Sequence, residues 1–327
     1  MTTVDTTSTR SNATLGDYLG LLRPQQWVKN VVVLAGPAAG MKLVEVSALP
    51  AVGLTFLSFC LAASAAYAFN DCIDRDADAQ HPTKRSRPVA SGRISIAGAI
   101  GVGSILTMAA IAIPIVWLPK EVVLVILAYV VLTGLYTIAL KRRVILDVIV
   151  VATGFIFRAL AGALAVGVPT SSWMIACVFT LCLFLGFGKR RSEIAMIGSD
   201  TDIAAHRRTL LRYTPDLLNH LLTVSAGIAV ITFLLYTLDK QGHPSPFHKE
   251  HLFYTLPLVV YGVFRFAMLT ELGIYTGPTE VVLKDRAMLW TIILWAACAM
   301  IVVYQTTLFG PGGIEGLLHI SRDTGGG

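Results

Sequence analysis

LTFLSFCLAASAAYAF, residues 54–69, carries no charge, and NDCIDRDAD, residues 70–78, follows it with four aspartates in nine positions. The basic stretch HPTKRSRP, residues 81–88, comes next. An uncharged run of this kind reads as a helix crossing a bilayer, which takes about 20 apolar residues. Its polar end then sits at the membrane surface. There Asp71, Asp74, Asp76 and Asp78 repel one another, and carboxylates held against a membrane span need a neutralising partner.

The apolar pattern recurs along the chain. Of 327 residues, 55% are hydrophobic and 14% charged, with mean hydropathy +0.69. A soluble domain carries about 25% charged residues, so the chain reads as an all-α integral membrane protein. Nine spans are expected, at about 28–41, 49–70, 94–117, 121–140, 144–166, 172–188, 216–238, 252–272 and 287–309. They make one catalytic domain, 15–309, between a Ser/Thr-rich disordered tail at 1–14 and a short C-terminal tail at 310–327. Trp27 is expected at the headgroup level, at the mouth of the first span. The first 25 residues hold no apolar h-region, so no cleavable signal peptide is expected. Five cysteines show no CxxC spacing and read as small hydrophobes, not as a zinc site or a disulfide framework.

Charge sets the orientation. With nine spans, the N-terminus and every second loop share one side. That side holds nineteen of the 26 lysines and arginines and the other side five, with Arg158 and Arg265 inside spans. The positive-inside bias makes the nineteen-residue side cytoplasmic. NDCIDRDAD lies there.

If the second span continues past Phe69 as helix, Asn70, Asp74 and Asp78 fall at i, i+4 and i+8 on one face, with Asp71 one position aside. Oxygen donors at this spacing suit Mg2+, which keeps several waters and bridges to substrate phosphates. The plainer reading is a solvated acidic cap. Lys84, Arg85, Arg87 and Arg93 are not needed merely to balance the acids, since a loop with neither sign would be cheaper. Carboxylates, Mg2+ and Lys/Arg together hold a diphosphate and stabilise it as it leaves. The rival for this loop is topological, since positive charge anchors cytoplasmic loops anyway.

These residues carry a resemblance. NDxxDxxxD at 70–78, LRPQQWVKN at 22–30 and YTIALKRRVILD at 136–147 resemble the UbiA superfamily of intramembrane prenyltransferases. The resemblance runs from about residue 15 to 309. It implies an all-helical bundle of nine spans around a lateral cavity, capped by cytoplasmic polar loops, in a bacterial inner membrane. It also implies Mg2+ held by Asn70, Asp74 and Asp78, with Asp71 beside them. Members of the superfamily carry a second acidic motif, DxxxD, between spans six and seven. Here that loop reads GKRRSE at 188–193, with Lys189, Arg190 and Arg191 and the lone acid Glu193; Asp200 and Asp202 follow two apart. Such a site repels a second metal and attracts an anion.

HPTKRSRPVASG at 81–92 and GKRRSE are similar to a branch that moves 5-phosphoribose from phosphoribosyl pyrophosphate to a polyprenyl (decaprenyl) phosphate, releasing pyrophosphate. In that branch the product feeds lipid-linked arabinose donors for envelope or lipo-oligosaccharide glycosylation. On this reading Lys29, Tyr67, Lys84, Arg85, Arg87, Lys141 and Asp147 serve the donor, with Asp147 at the ribose hydroxyls or paired to a lysine. Lys189, Arg190, Arg191 and Glu193 serve the lipid phosphate. Each has a blander reading: Lys29 as an interface anchor, Tyr67 as core, Lys141 as topological charge. Arg158 lies eleven residues past Asp147 on nearly the same face, too distant along the axis for a direct pair. Membrane lipids are partners, nucleic acid is not, and a homo-oligomer stays open. A conventional prenyltransferase with an aromatic acceptor is the alternative. A transporter is a third class, against which stands the collection of charge on one face rather than at mid-membrane.

Overall fold

Alternation of long apolar runs with short polar links folds the described residues into helices. The computed structural model describes residues 13–197, 213–239 and 249–309. The tails at 1–12 and 310–327, together with Asp200, Asp202, Arg207, Arg208 and Arg212, lie outside the described residues. In order the helices are α1 Leu15–Leu22, α2 Ala35–Ala39, α3 Leu49–Ile73, α4 Arg75–Gln80, α5 Ile96–Trp117, α6 Lys120–Ile138, α7 Leu146–Ala165, α8 Ser172–Ile197, α9 Pro215–Leu238, α10 Leu256–Glu271, α11 Pro278–Lys284 and α12 Arg286–Phe309.

Among the described residues eight helices, not nine, are long and apolar enough to cross a membrane: α3, α5, α6, α7, α8, α9, α10 with its lead-in from Lys249, and α12. The first expected span, 28–41, is instead a 3-10 run, Pro24–Leu34, followed by the five-residue α2. Tight packing on α7 accompanies this shape. A Cβ added at Gly162 would lie 1.8 Å from the Val33 carbonyl oxygen, and one at Gly36 would lie 2.5 Å from the Ala163 Cβ. Trp27 is tied to α3. Its Nε1 donates to Ser64 Oγ at 3.0 Å, and Ser64 donates to the Leu22 carbonyl at 2.8 Å. Ser64 is nine residues, about 14 Å, inside the end of α3.

α3 and α7 form the centre. About half of each apolar window is buried, 50% and 56%, against 17–39% in the other spans. Small residues allow this: Ala62, Ala63, Ala65 and Ala68 on α3, and Ala159, Ala161, Gly162 and Ala163 on α7. One apolar cluster joins Val33, Phe59, Ala110, Ile126 and Ala161 on the α3–α5–α6 side; another joins Val148, Phe184, Leu218, Leu222 and Phe266 on the α8–α9–α10 side. Outward-facing residues such as Ile105, Met108, Leu124, Phe264 and Trp290 stay exposed. That is the surface a lipid-facing helix presents, and the protein is a multi-pass membrane protein.

The polar links gather at one end of the bundle, where α3, α6, α8 and α10 finish and α7, α9 and α12 begin. α3 stops at Ile73, with Asp74 (φ −92°, ψ 5°) as its C-cap, and α4 starts at Arg75. Backbone bonds from Asp74 N to Asn70 O (2.9 Å) and Asp78 N to Asp74 O (2.8 Å) keep helical spacing across the break.

Candidate functional site

At the α3–α4 break the acids are divided between two sets of cations. Lys141, buried in the 3-10 turn Leu140–Arg142 after α6, places Nζ 3.0 Å from Asn70 Oδ1 and 2.5 Å from Asp74 Oδ1. Arg87 reaches back from the basic loop to Asp78 Oδ2 at 2.5 Å and to Asp71 Oδ1 at 3.3 Å. Arg23 also meets Asp71 Oδ1, at 2.5 Å, and its guanidinium stacks 4.9 Å over the Tyr67 ring. Asn70, Asp74 and Asp78 keep their helical spacing, but they do not share their cations. Asn70 and Asp74 form one set with Lys141, while Asp71 and Asp78 form another with Arg87. The turn at Asp74 and the competing cations produce this split. Asp76 is exposed and stands outside both sets.

Among the described residues no three of His, Cys, Asp and Glu are gathered to hold a metal by themselves. The donors present still fit a hard cation. Asp71 Oδ2 is buried without a hydrogen-bond partner, and the Asp74 side chain stays 30% exposed beside Asn70. Carboxylate and amide oxygens are what Mg2+ takes.

A second cluster joins α7, α8 and the approach to α9. Asp147 is fully buried, and its partner is an arginine, not a lysine: Arg190 Nε lies 2.9 Å from Asp147 Oδ2. The same guanidinium donates through Nη1 to Glu193 Oε2 at 2.6 Å. Arg190 thus sits between two carboxylates, and neither it nor Asp147 is open to a ligand as the sequence suggested. A buried carboxylate draws a partner from whichever helix packs on it, and here that helix is α8. Lys189 is half exposed, with Nζ 3.8 Å from Glu193 Oε1, and Arg191 Nε bonds the Asn219 amide oxygen at 2.8 Å. These two remain the outward cations of GKRRSE.

Tyr213 completes the cluster. Its hydroxyl donates to Asp147 Oδ1 at 2.7 Å and accepts from Ile145 N–H at 2.6 Å. Burial first, and then the bond to Asp147, push its phenol above the ordinary range, so it stays protonated and keeps donating. Ile145 needs the support. It has φ 69° and ψ −48°, with Leu146 N bonded to Val144 O at 2.8 Å, a strained γ-turn for a β-branched residue.

Arg158 does not pair with Asp147. Its Nε donates to Asn30 Oδ1 at 2.6 Å, Nη2 to Tyr129 at 2.8 Å and Nη1 to the Gly154 carbonyl at 2.8 Å. Lys29 is half-buried next to Asn30, and Arg85 is exposed. Lys84 lies part-buried on the basic loop. Arg265 makes a two-point pair with Asp285, at 2.7 and 2.8 Å, and Asp285 also accepts from Met288 N–H at 2.7 Å to cap α12.

Sequence reading missed Arg23 as a site residue. Arg23 precedes a proline, yet adopts the left-handed conformation (φ 52°), which is unusual for a non-glycine. That conformation is invisible before folding. Beside the acids, an apolar groove of ≈ 490 Å³ opens between α3, α5 and α6, lined by Phe69, Ile73, Met108, Thr137 and Ile138 among others.

Comparison with known proteins follows the same lines. The UbiA prenyltransferase family profile matches residues 31–272. A decaprenyl-phosphate phosphoribosyltransferase of Corynebacterium glutamicum is 33% identical over 293 residues, covering 88% of this chain and 87% of its own length. One of Mycobacterium tuberculosis is 32% identical over 281 residues, covering 84% and 90%. In fold, the chain is similar to a UbiA homolog from Archaeoglobus fulgidus bound to GPP and Mg2+, with TM-score 0.69 at 18% identity, over 88% of this chain and 99% of that one.

Proposed function

We infer the reaction from one premise: the chain belongs to the UbiA prenyltransferase family. From it we propose that the protein is a pentosyltransferase, moving 5-phosphoribose from phosphoribosyl pyrophosphate to a polyprenyl phosphate such as decaprenyl phosphate. One observation carries this choice within the family. Where α8 ends, Arg190 lies between Asp147 and Glu193 with Lys189 and Arg191 beside it, so the surface there is cationic. An anionic acceptor needs cations there. A second metal would need acids free of such a partner. The two similar phosphoribosyltransferases support the same reading.

In this reading Asn70, Asp71 and Asp74 hold Mg2+. When bound, Mg2+ neutralises the donor diphosphate and the charge that develops on departing pyrophosphate. Lys84, Arg85 and Arg87 bind the diphosphate, and Arg87 and Lys141 keep the acid cluster from repelling it. Tyr67, under Arg23, forms a wall of the donor pocket. Lys189 and Arg191 hold the lipid phosphate, and Arg190 is fixed by Asp147 and Glu193 so that α8 presents its neighbours. The groove between α3, α5 and α6 receives part of the isoprenoid chain.

A phosphate oxyanion is already a nucleophile at neutral pH and needs little base catalysis. Its oxygen attacks C1 of the ribose, and the C1–O bond to pyrophosphate breaks, with the electron pair leaving on pyrophosphate. In-line attack inverts C1 and gives a β-linked 5-phosphoribosyl lipid. The protein's part is alignment and electrostatic stabilisation. The protein works in the bacterial inner membrane with this end cytoplasmic, where the water-soluble donor is made, and its product supplies lipid-linked arabinose donors for the envelope.

A donor competition tests the proposal. Purified protein with Mg2+ and a polyprenyl phosphate should release pyrophosphate when given phosphoribosyl pyrophosphate. Cleavage of a prenyl diphosphate onto an aromatic acceptor, with phosphoribosyl pyrophosphate left intact, would overturn it in favour of conventional prenyl transfer.

A further inference from the structure

Arg158 sits in the middle of α7, buried at 7% exposure. Arg23, Arg87, Lys141, Arg190 and Arg265 each meet a carboxylate. Arg158 meets none. Its partners are an amide oxygen, a phenol and a backbone carbonyl, and the rings of Tyr129, Phe155 and Phe59 lie 4.7, 5.1 and 5.6 Å from its Cζ. Three of its five N–H groups are used, which leaves two on a rigid planar fork.

The neighbourhood adds charge of the same sign. Lys29 precedes the Asn30 that holds Arg158 Nε. The charges acting on Lys29 are those of Lys189, Arg158 and Arg23, all positive. An arginine deep in a membrane bundle is rare and is normally paired. Lys29 and Arg158 repel each other, unless an anion enters between them.

We propose that Arg158 and Lys29 form a binding site for a phosphate monoester. A two-N–H fork and an ammonium match a dianion with several acceptor oxygens. The site rests on the reaction assigned above, whose two substrates each carry a monoester phosphate: the lipid phosphate on the acceptor and the 5-phosphate on the donor. The donor diphosphate is served separately, at the α3–α4 break.

The test uses the full chain in detergent. Binding of polyprenyl phosphate and of phosphoribosyl pyrophosphate is measured for the wild type, Arg158→Gln, Arg158→Lys and Lys29→Gln. Uncharged polyprenol and free pyrophosphate are the controls. One ligand should bind about tenfold more weakly to both glutamine variants, as expected for lost charged hydrogen bonds, and Arg158→Lys should recover part of it. Loss confined to polyprenyl phosphate, with polyprenol unchanged, assigns the lipid phosphate. Loss confined to phosphoribosyl pyrophosphate, with pyrophosphate unchanged, assigns the 5-phosphate. A lower melting midpoint for Arg158→Gln with both affinities unchanged overturns the proposal, since that is what a structural arginine would do. If Arg158→Gln fails to fold, Lys29→Gln decides, and unchanged affinities there overturn the site. A wild type that binds neither ligand sinks the reaction and the site together, whereas a wild type that binds both, with unaltered variants, sinks the site alone.

Discussion

Asp74 and Asp76 are two residues apart, yet only one of them is tied to the bundle. Asp74 holds Lys141 at 2.5 Å, and that lysine side chain is 6% exposed. Asp74→Ala takes the carboxylate away from a buried ammonium. Breaking a buried pair in this way costs about 3 kcal/mol, and turnover should be lost with it. Asp76→Ala removes an exposed side chain, so stability should change by no more than about 0.5 kcal/mol with turnover retained. Melting midpoints and pyrophosphate release, measured on both variants, check this. The acids were legible as a cluster because four aspartates against an apolar run stand out in any sequence. Their partners were not. Asp71 pairs with Arg23, 48 residues away, and Asp147 with Arg190, 43 away. Spacing within one helix suggests partners on that helix, while burial recruits them from the helices packed against it.

At the level of elements, α7 is fitted to the 3-10 run by a glycine. A methyl at Gly162 would strike the Val33 carbonyl, backbone against backbone, with no flexible side chain to yield. Gly162→Ala should destabilise the protein by about 1–3 kcal/mol or more, and should cut turnover because the displaced segment carries Lys29 and Asn30. Gly227→Ala in α9 meets nothing within 4 Å. It should be neutral, or stabilise by about 0.5–1 kcal/mol through helix propensity. Thermal unfolding of the pair separates close packing from propensity. The first span was expected from its apolar content, and the close approach of its 3-10 run to Gly162 is something no local pattern records.

α1 offers a pH test at the same scale. Asp17 accepts from Thr14 in a capping box and from Arg93 Nε at 2.6 Å, and the Thr14 bonds, then Arg93, hold its carboxyl down at about 2 from 3.8. The folded value is below the unfolded one. Its stabilising contribution is therefore complete above pH about 4 and is lost as pH falls toward about 2. Amide exchange in Leu15–Leu22 should rise across that window. In Asp17→Asn the rise should be absent and exchange already faster at neutral pH.

For the whole molecule, hydropathy made eight of the nine expected spans readable, because a bilayer demands long apolar helices and little else imitates them. It also placed the acids and the basic loops at one end of the bundle. Which helices sit at the centre was not readable, since α3 and α7 differ from the others in small residues rather than in hydropathy. The proposed orientation follows from charge: the end with Lys84, Arg85, Arg87 and Lys141 should be cytoplasmic, and the loop leading into α3 should face the other side. Arg85 and Ser47 are exposed at these two ends. With the five native cysteines replaced, Ser47→Cys should react with a membrane-impermeant thiol reagent in intact bacterial spheroplasts. Arg85→Cys should react only after permeabilisation. The opposite pattern would put the donor site on the outer face, away from any cytosolic supply of phosphoribosyl pyrophosphate, and the proposed reaction could not proceed in the cell.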